Sequence, residues 1–282
     1  MPQTARDPQH VALGAAPPRR ISRAEFDRVY ERVILGSDFF EDPDYYRHFR
    51  ERYWRTVGYI ESCVGSDSAR ILDIGSGQFA LLCRHLLAAK CDVADIDSRH
   101  TEVLRSNDVG FVQVDLTRPG LRVPEPYDLV VMAEVIEHVP RPPHLVFADL
   151  KGCLRPGGIL LVTTPNLYRL RNRVRMALGQ PIFDLFRYPE MDRPLGHFLE
   201  YSREQIEWHL REAGLEIRLA RLDQLDHGGA SAGARLARQL LRPFLRLRPL
   251  WRDSLVLLAR RPEVDPRAGR SGETPMPPSG HP

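Results

Sequence analysis

Two groups of residues in this chain have the types and spacing to do chemistry. The first is Arg70-Ile71-Leu72-Asp73-Ile74-Gly75-Ser76-Gly77-Gln78-Phe79, followed by the apolar Ala80-Leu81-Leu82. An apolar run with an acid near its end, a glycine pair and a second apolar run read as a strand, a tight turn and a helix start. Bare main chain at Gly75 and Gly77 lets a ligand approach the backbone itself. The second group is Glu134, Glu137 and His138, at i, i+3 and i+4. On one helical turn these side chains share a face, and two carboxylates with an imidazole can hold Mg²⁺, Mn²⁺ or a related divalent ion.

Alternating strands and helices must position both groups. Strands are predicted at 70–74, 91–96, 110–114, 127–133 and 158–164, with helices at 79–89, 99–106 and 143–155. That alternation is a parallel, doubly wound α/β sheet. Ser202 caps a further helix running to Ala213, and 215–223 and 254–260 are the last two strands. Two helices precede the first strand. One starts at the Ser22/Glu25 capping box, and the other spans 45–64 with Tyr46, Phe49, Tyr53, Trp54, Val57 and Ile60 on its apolar side. They read either as a cap over the sheet or as a pocket wall to which Tyr45, Tyr46 or Trp54 contributes. Gly75-x-Gly77-x-x-Ala80, with Asp97 closing the second strand, also fits the loose dinucleotide fingerprint.

The bulk properties remove some function classes. A length of 282 residues allows a large core, and a net charge of +3 does not suit a protein that coats nucleic acid. Cys63, Cys83, Cys91 and Cys153 are scattered and form no CxxC pair, so they read as reduced core residues of a cytoplasmic protein. No apolar run reaches the roughly 20 residues of a membrane span, and no signal-peptide core is visible. Residues 1–20 and 262–282 are expected to be disordered.

Two basic stretches remain. Residues 168–200 read as a lid whose Arg169, Arg171, Arg173 and Arg175 either meet a phosphate on the acceptor or form an exposed helix face. Residues 228–252 contain no acid and interleave Arg235, Arg238, Arg242, Arg246, Arg248 and Arg252 with leucines, Phe244 and Trp251. This insert, from 235 to 252 above all, reads either as a peripheral membrane contact or as a crossover helix with solvated arginines.

Five motifs in order resemble the class I S-adenosylmethionine-dependent methyltransferases. They are Asp73-Ile74-Gly75-Ser76-Gly77, Asp95-Ile96-Asp97, Val114-Asp115-Leu116, Tyr127–Val131 leading into Glu134–Val139, and Leu154-Arg155-Pro156-Gly157-Gly158. Phe79 departs from the pattern, because many members have a third glycine there. The resemblance implies a Rossmann-like, seven-stranded, mostly parallel sheet with an antiparallel last strand. It divides the chain into a helical cap at 21–65 and a methyltransferase domain at 66–261.

It also implies roles. Asp73 orients the turn and the cofactor's amino group, Gly75 and Gly77 admit the methionine moiety, Asp97 holds the ribose and Asp115 the adenine amine, with Glu134 beside them. The Glu-x-x-Glu-His motif is similar to that of ubiquinone-biosynthesis O-methyltransferases and of small-RNA 2′-O-methyltransferases. The latter also carry counterparts of Thr164-Pro165-Asn166 and of His197 ahead of Glu200. This makes His197 a fourth metal ligand beside Glu134, Glu137 and His138, or a general base.

Methyl transfer from a sulfonium is an in-line displacement, and a hydroxyl acceptor must also lose its proton. His138 and His197 are the catalytic candidates. The expected acceptor is a hydroxyl on a small molecule, glycan or lipid. The rival readings are an RNA 2′-O-methyltransferase with a divalent metal, which the modest charge and the lack of an accompanying RNA-binding domain disfavour, an NAD-dependent oxidoreductase, and a non-catalytic nucleoside-binding module.

Overall fold

The computed structural model describes residues 20–37, 43–64, 68–182, 197–225, 244–245 and 247–263. The two expected disordered ends, the middle of the lid (183–196) and most of the basic insert (226–243 and 246) lie outside them, apart from Arg20, Pro262 and Glu263.

Seven strands form one sheet in the order β3-β2-β1-β4-β5-β7-β6. They are β1 (Arg70–Ile74), β2 (Lys90–Asp95), β3 (Val109–Gln113), β4 (Tyr127–Ala133), β5 (Leu154–Pro165), β6 (Glu216–Asp223) and β7 (Ser254–Arg260). The first five pair in parallel, and β7 runs antiparallel to both β5 and β6. The seven-stranded, mostly parallel sheet with a reversed final strand is therefore the fold. Strands β1 and β4 are apolar almost throughout because both faces are covered. Ile71 faces a core shared with Phe26, Tyr30, Ile60 and Leu81, while its neighbour Leu72 faces one shared with Phe147, Leu150, Ile206 and Leu210.

The helices follow from local signals. Ser22 accepts the Glu25 N–H (3.2 Å) at the start of α1 (Arg23–Tyr30). The helix α2 (Pro43–Cys63) lays its aromatic stripe on α3 (Gln78–Leu86). Helices α4 (Thr101–Ser106) and α5 (Pro143–Cys153) fill the crossovers, α6 (Leu170–Ala177) follows β5, and Ser202 with Gln205 builds a full capping box for α7 (Arg203–Glu212).

Strand β5 begins at Leu154, earlier than expected. Leu154 pairs with Tyr127 across a register shift, and the Pro156-Gly157 turn becomes a bulge within the strand.

The cap is mostly core. Tyr46 and Tyr53 are buried, and Tyr53 stacks on Phe79 (5.1 Å) and Tyr30 (5.5 Å). Phe79, at the position where the motif varies, is thus the seat on which the cap rests. Trp54 packs on Phe26, away from the turn, whereas Tyr45 joins the site described below. Truncating Tyr53 should empty this aromatic stack. Tyr53→Ala is expected to cost about 3–5 kcal/mol, read from the denaturant midpoint, and limited proteolysis should then cut the cap segment first.

Candidate active site

Parallel strands deliver their carboxyl ends to one edge. Ile74 pairs with Ala94, and Asp95 with Gln113. The Gly75 N–H donates to the Ala94 carbonyl (3.0 Å) and the Val114 N–H to Asp95 (2.8 Å). The glycine turn, the acids after β2 and Asp115 after β3 therefore stand in a row.

The turn needs its glycines. Gly75 and Gly77 have φ of +121° and +95°, and a Cβ on Gly77 would lie 2.9 Å from Leu104 Cδ2. Gly77 is also the N-cap of α3 and offers no side chain to its first amides. Asp73 does that from the strand. It is 3 % exposed, and its Oδ2 accepts the Ala80 N–H at 2.9 Å. Burial raises the Asp73 carboxyl to about 7; the Ala80 and Phe79 amides pull it down and Asp95 adds to the rise.

The other two acids close on near neighbours. Asp97 accepts the Arg99 N–H at Oδ1 (2.9 Å) and the Arg99 guanidinium at Oδ2 (2.7 Å), which holds its carboxyl below the usual aspartate value. Asp115 accepts both the hydroxyl and the N–H of Thr117, with Arg118 at 3.2 Å, and is likewise lowered, first by the Thr117 hydroxyl. Both stay partly exposed on the edge.

The second group is arranged differently from the expected single helical face. Glu134 sits at φ +57°, in the left-handed region, and only Ile136–His138 forms a 3₁₀ turn. The Glu134 N–H donates to the Thr163 carbonyl (2.8 Å), its Oε1 accepts the Thr163 hydroxyl (2.8 Å), and its Oε2 lies 3.9 Å from Arg52. Pairing with β5 holds Glu134 out of the cluster. Among the described residues the ligand set is Glu137, His138 and His197, with ligand atoms all within 4.8 Å of one another.

Glu137 is 1 % exposed. Its Oε2 accepts the Thr164 hydroxyl (2.9 Å), while Oε1 is buried with no hydrogen-bond partner. Burial drives this carboxyl well up, and Glu134 pushes in the same direction. A cation at the cluster would offset both effects. The rings of His138 and His197 meet edge to face at 4.9 Å. The Phe198 N–H donates to the Glu137 carbonyl (2.8 Å), which ties the His197 segment to the turn.

Glu200 orients His197. Its Oε1 lies 3.1 Å from His197 Nδ1, and it also takes the Arg169 guanidinium and the Asn172 amide (2.7 Å). Burial raises the Glu200 carboxyl, but His197, Arg169 and Asn172 together hold it low. In the neutral ring with Nδ1–H toward Glu200, Nε2 is the acceptor nitrogen.

Arg169 is thus a buried structural partner, 4 % exposed, and not an arginine that meets a phosphate. Sequence reasoning also missed Arg52, a buried guanidinium on α2 that donates to Tyr45 Oη (2.8 Å) and lies over the Phe49 ring (4.4 Å). Its signal was weak: it is one of four arginines, with Arg47, Arg50 and Arg55, in an aromatic-rich helix.

A cleft of about 600 Å³ opens at the opposite, amino end of the strands. Its Arg70 and Arg84 face Asp92 and Asp108. It is not the site.

The methyltransferase-domain family matches residues 46–220, more than half of the chain. The chain belongs to the class I S-adenosylmethionine-dependent methyltransferases. A ubiquinone biosynthesis O-methyltransferase of Marinobacter nauticus is 30% identical over 194 residues, covering 65% of this chain and 79% of that protein. One from Xylella fastidiosa is 34% identical over 118 residues, covering 39% and 47%. The solved S-adenosylmethionine-dependent methyltransferase from Methanosarcina mazei shares the fold, with a TM-score of 0.50 at 16% identity over 72% of this chain and 97% of that one. This methyltransferase is an enzyme of the transferase class, so the nicotinamide reading has no support.

The raised Asp73 carboxyl gives a pH test with a defined sign. Between the ordinary value of 3.8 and about 7, the folded protein holds a proton on Asp73 that the unfolded chain has lost, so stability falls as pH rises through that window. Asp73→Asn is expected to flatten this slope in apo-protein melts across the same range.

Proposed function

We propose that this methyltransferase moves the sulfonium methyl of S-adenosylmethionine to a hydroxyl of a small molecule, glycan or lipid, leaving S-adenosylhomocysteine. The carrying observation is the Glu137/His138/His197 cluster, held by Glu200 and Thr164 beside the strand edge that bears the glycine turn. The names of the O-methyltransferase relatives support a hydroxyl acceptor.

On this reading Gly75 and Gly77 admit the methionine moiety, and Asp73 attracts its ammonium once ionised. Asp97 and Asp115 take ribose and adenine. Arg52 and Glu134 flank the reacting end. The acceptor oxygen attacks the methyl carbon as the carbon–sulfur bond breaks. The hydroxyl proton passes to the free nitrogen of His197, or to His138, and then to solvent.

Glu137, His138 and His197 also fit a divalent ion, because Glu137 has one buried oxygen without a hydrogen-bond partner and the ligand atoms of the three residues lie within 4.8 Å of one another. A carboxylate with two nitrogens suits Mn²⁺ better than Mg²⁺. Such an ion would lower the pKa of a bound hydroxyl.

His197→Ala and His138→Ala are each expected to lower turnover by about 10²-fold while S-adenosylhomocysteine still binds. Label from methyl-tritiated cofactor should enter an ether that resists mild base when the protein is given a lipid and small-molecule extract. Normal turnover in both variants would remove the histidines from the chemistry. A raised melting temperature with Mn²⁺, lost in Glu137→Gln, would establish the metal independently of activity.

A further inference from the structure

Helix α6 lacks what normally keeps a short helix folded. A surface helix is held by an apolar face turned to the core. The one residue α6 buries is Asn172, whose amide donates to Leu167 O (2.9 Å) and to Glu200. Its apolar side chains point outward: Val174 is 49 % exposed, Met176 61 % and, just past the end, Leu178 66 %.

The turn before β7 does the same. Leu247 is 80 % exposed and Leu250 54 %, with Phe244 at 39 %. The two segments are joined. Asn166 Nδ2 donates to the carbonyls of Leu250 (3.0 Å) and Arg252 (2.8 Å), and the Arg173 guanidinium lies 5.5 Å from both the Tyr168 and the Trp251 rings. They form one surface.

Its charge is of one sign. Neither Asn166–Phe183 nor Phe244–Arg252 contains an acid. Arg171, Arg173 and Arg248 are exposed among the apolar side chains, with Arg175 half-exposed. Outward leucine, valine and methionine ringed by arginine match an anionic bilayer, where the aliphatic groups enter the acyl boundary and the guanidinium groups meet headgroup phosphates. The outward Val174, Met176, Leu178, Leu247 and Leu250 outnumber the rings of Tyr168, Phe244 and Trp251 on this surface, whereas a single-stranded RNA site is built on aromatic platforms.

We propose that α6 and the Phe244–Trp251 segment dock this methyltransferase on the surface of an anionic phospholipid membrane. The same elements support the candidate active site, because Asn172 and Arg169 hold Glu200, which holds His197. Docking would therefore bring the acceptor side of the site to the bilayer. The inference stands on this surface alone and is independent of which hydroxyl is methylated.

The test is flotation of the full-length protein with phosphatidylcholine vesicles, with and without phosphatidylglycerol. The protein should float only with the anionic vesicles and be released as salt rises. The variant Leu178→Asn/Leu247→Asn/Leu250→Asn should lower the partition coefficient by about tenfold or more. Arg171→Gln/Arg175→Gln should weaken the preference for phosphatidylglycerol by about tenfold. Unchanged melting and an unchanged thermal shift with S-adenosylhomocysteine show that each variant is folded. The proposal is overturned if the parent floats with neither vesicle, if the leucine variant floats as well as the parent, or if a single-stranded RNA oligonucleotide binds this face and vesicles do not compete.

Discussion

The Asp73 carboxylate is the constraint on which the rest depends. It reaches from the end of β1 to the first amides of α3, across a turn that supplies no capping side chain of its own. That bond permits the glycine pair to remain bare and open while the helix behind it stays ordered. Phe79 and Ala80, whose amides Asp73 receives, also seat the cap and enter the core. The same contact therefore fixes the strand, the helix, the cap and the floor on which a nucleoside would lie. It comes at the cost of burying an acid, which raises the Asp73 carboxyl to about 7.

The cluster of Glu137, His138 and His197 is organised by a second buried acid. Glu137 receives Thr164 from β5 on one oxygen and leaves the other unpaired, with His138 and His197 close by. Chain ends distant in sequence converge here: β4 supplies the 3₁₀ turn, β5 the threonines, and the stretch before α7 brings His197 with its orienting Glu200. The left-handed Glu134 is part of the same arrangement, since its backbone and side chain both bind Thr163 and leave the next turn free to present Glu137 and His138.

The sheet was legible in the residues because strands covered on both faces are continuous apolar runs, and 70–74, 127–133 and 254–260 match the observed spans. Cap positions such as Ser22 and Ser202 were legible because their partners are three residues away. What could not be read depended on partners far along the chain. Glu134 falls at helical spacing from Glu137 and His138, yet its conformation is set by Thr163. Arg169 read either as an arginine for phosphate or as part of an exposed helix face, and only the fold brings Glu200 to it. Arg52 gave only a weak signal, since Tyr45 and Phe49 lie on its own helix but Glu134 reaches it from the end of β4. Asp73, Gly75, Gly77, Asp97 and Asp115 fall on one edge because a parallel sheet aligns its carboxyl ends whatever the side chains do.

Hydrogen exchange read segment by segment, with and without S-adenosylmethionine, tests the central claim most directly. Exchange should slow together at Gly75–Ala80, Ile96–Asp97 and Val114–Asp115, and stay unchanged around Asp108 in the cleft at the amino ends of the strands. Slowing around Asp108 instead, or an unprotected glycine turn in protein saturated with cofactor, would contradict it.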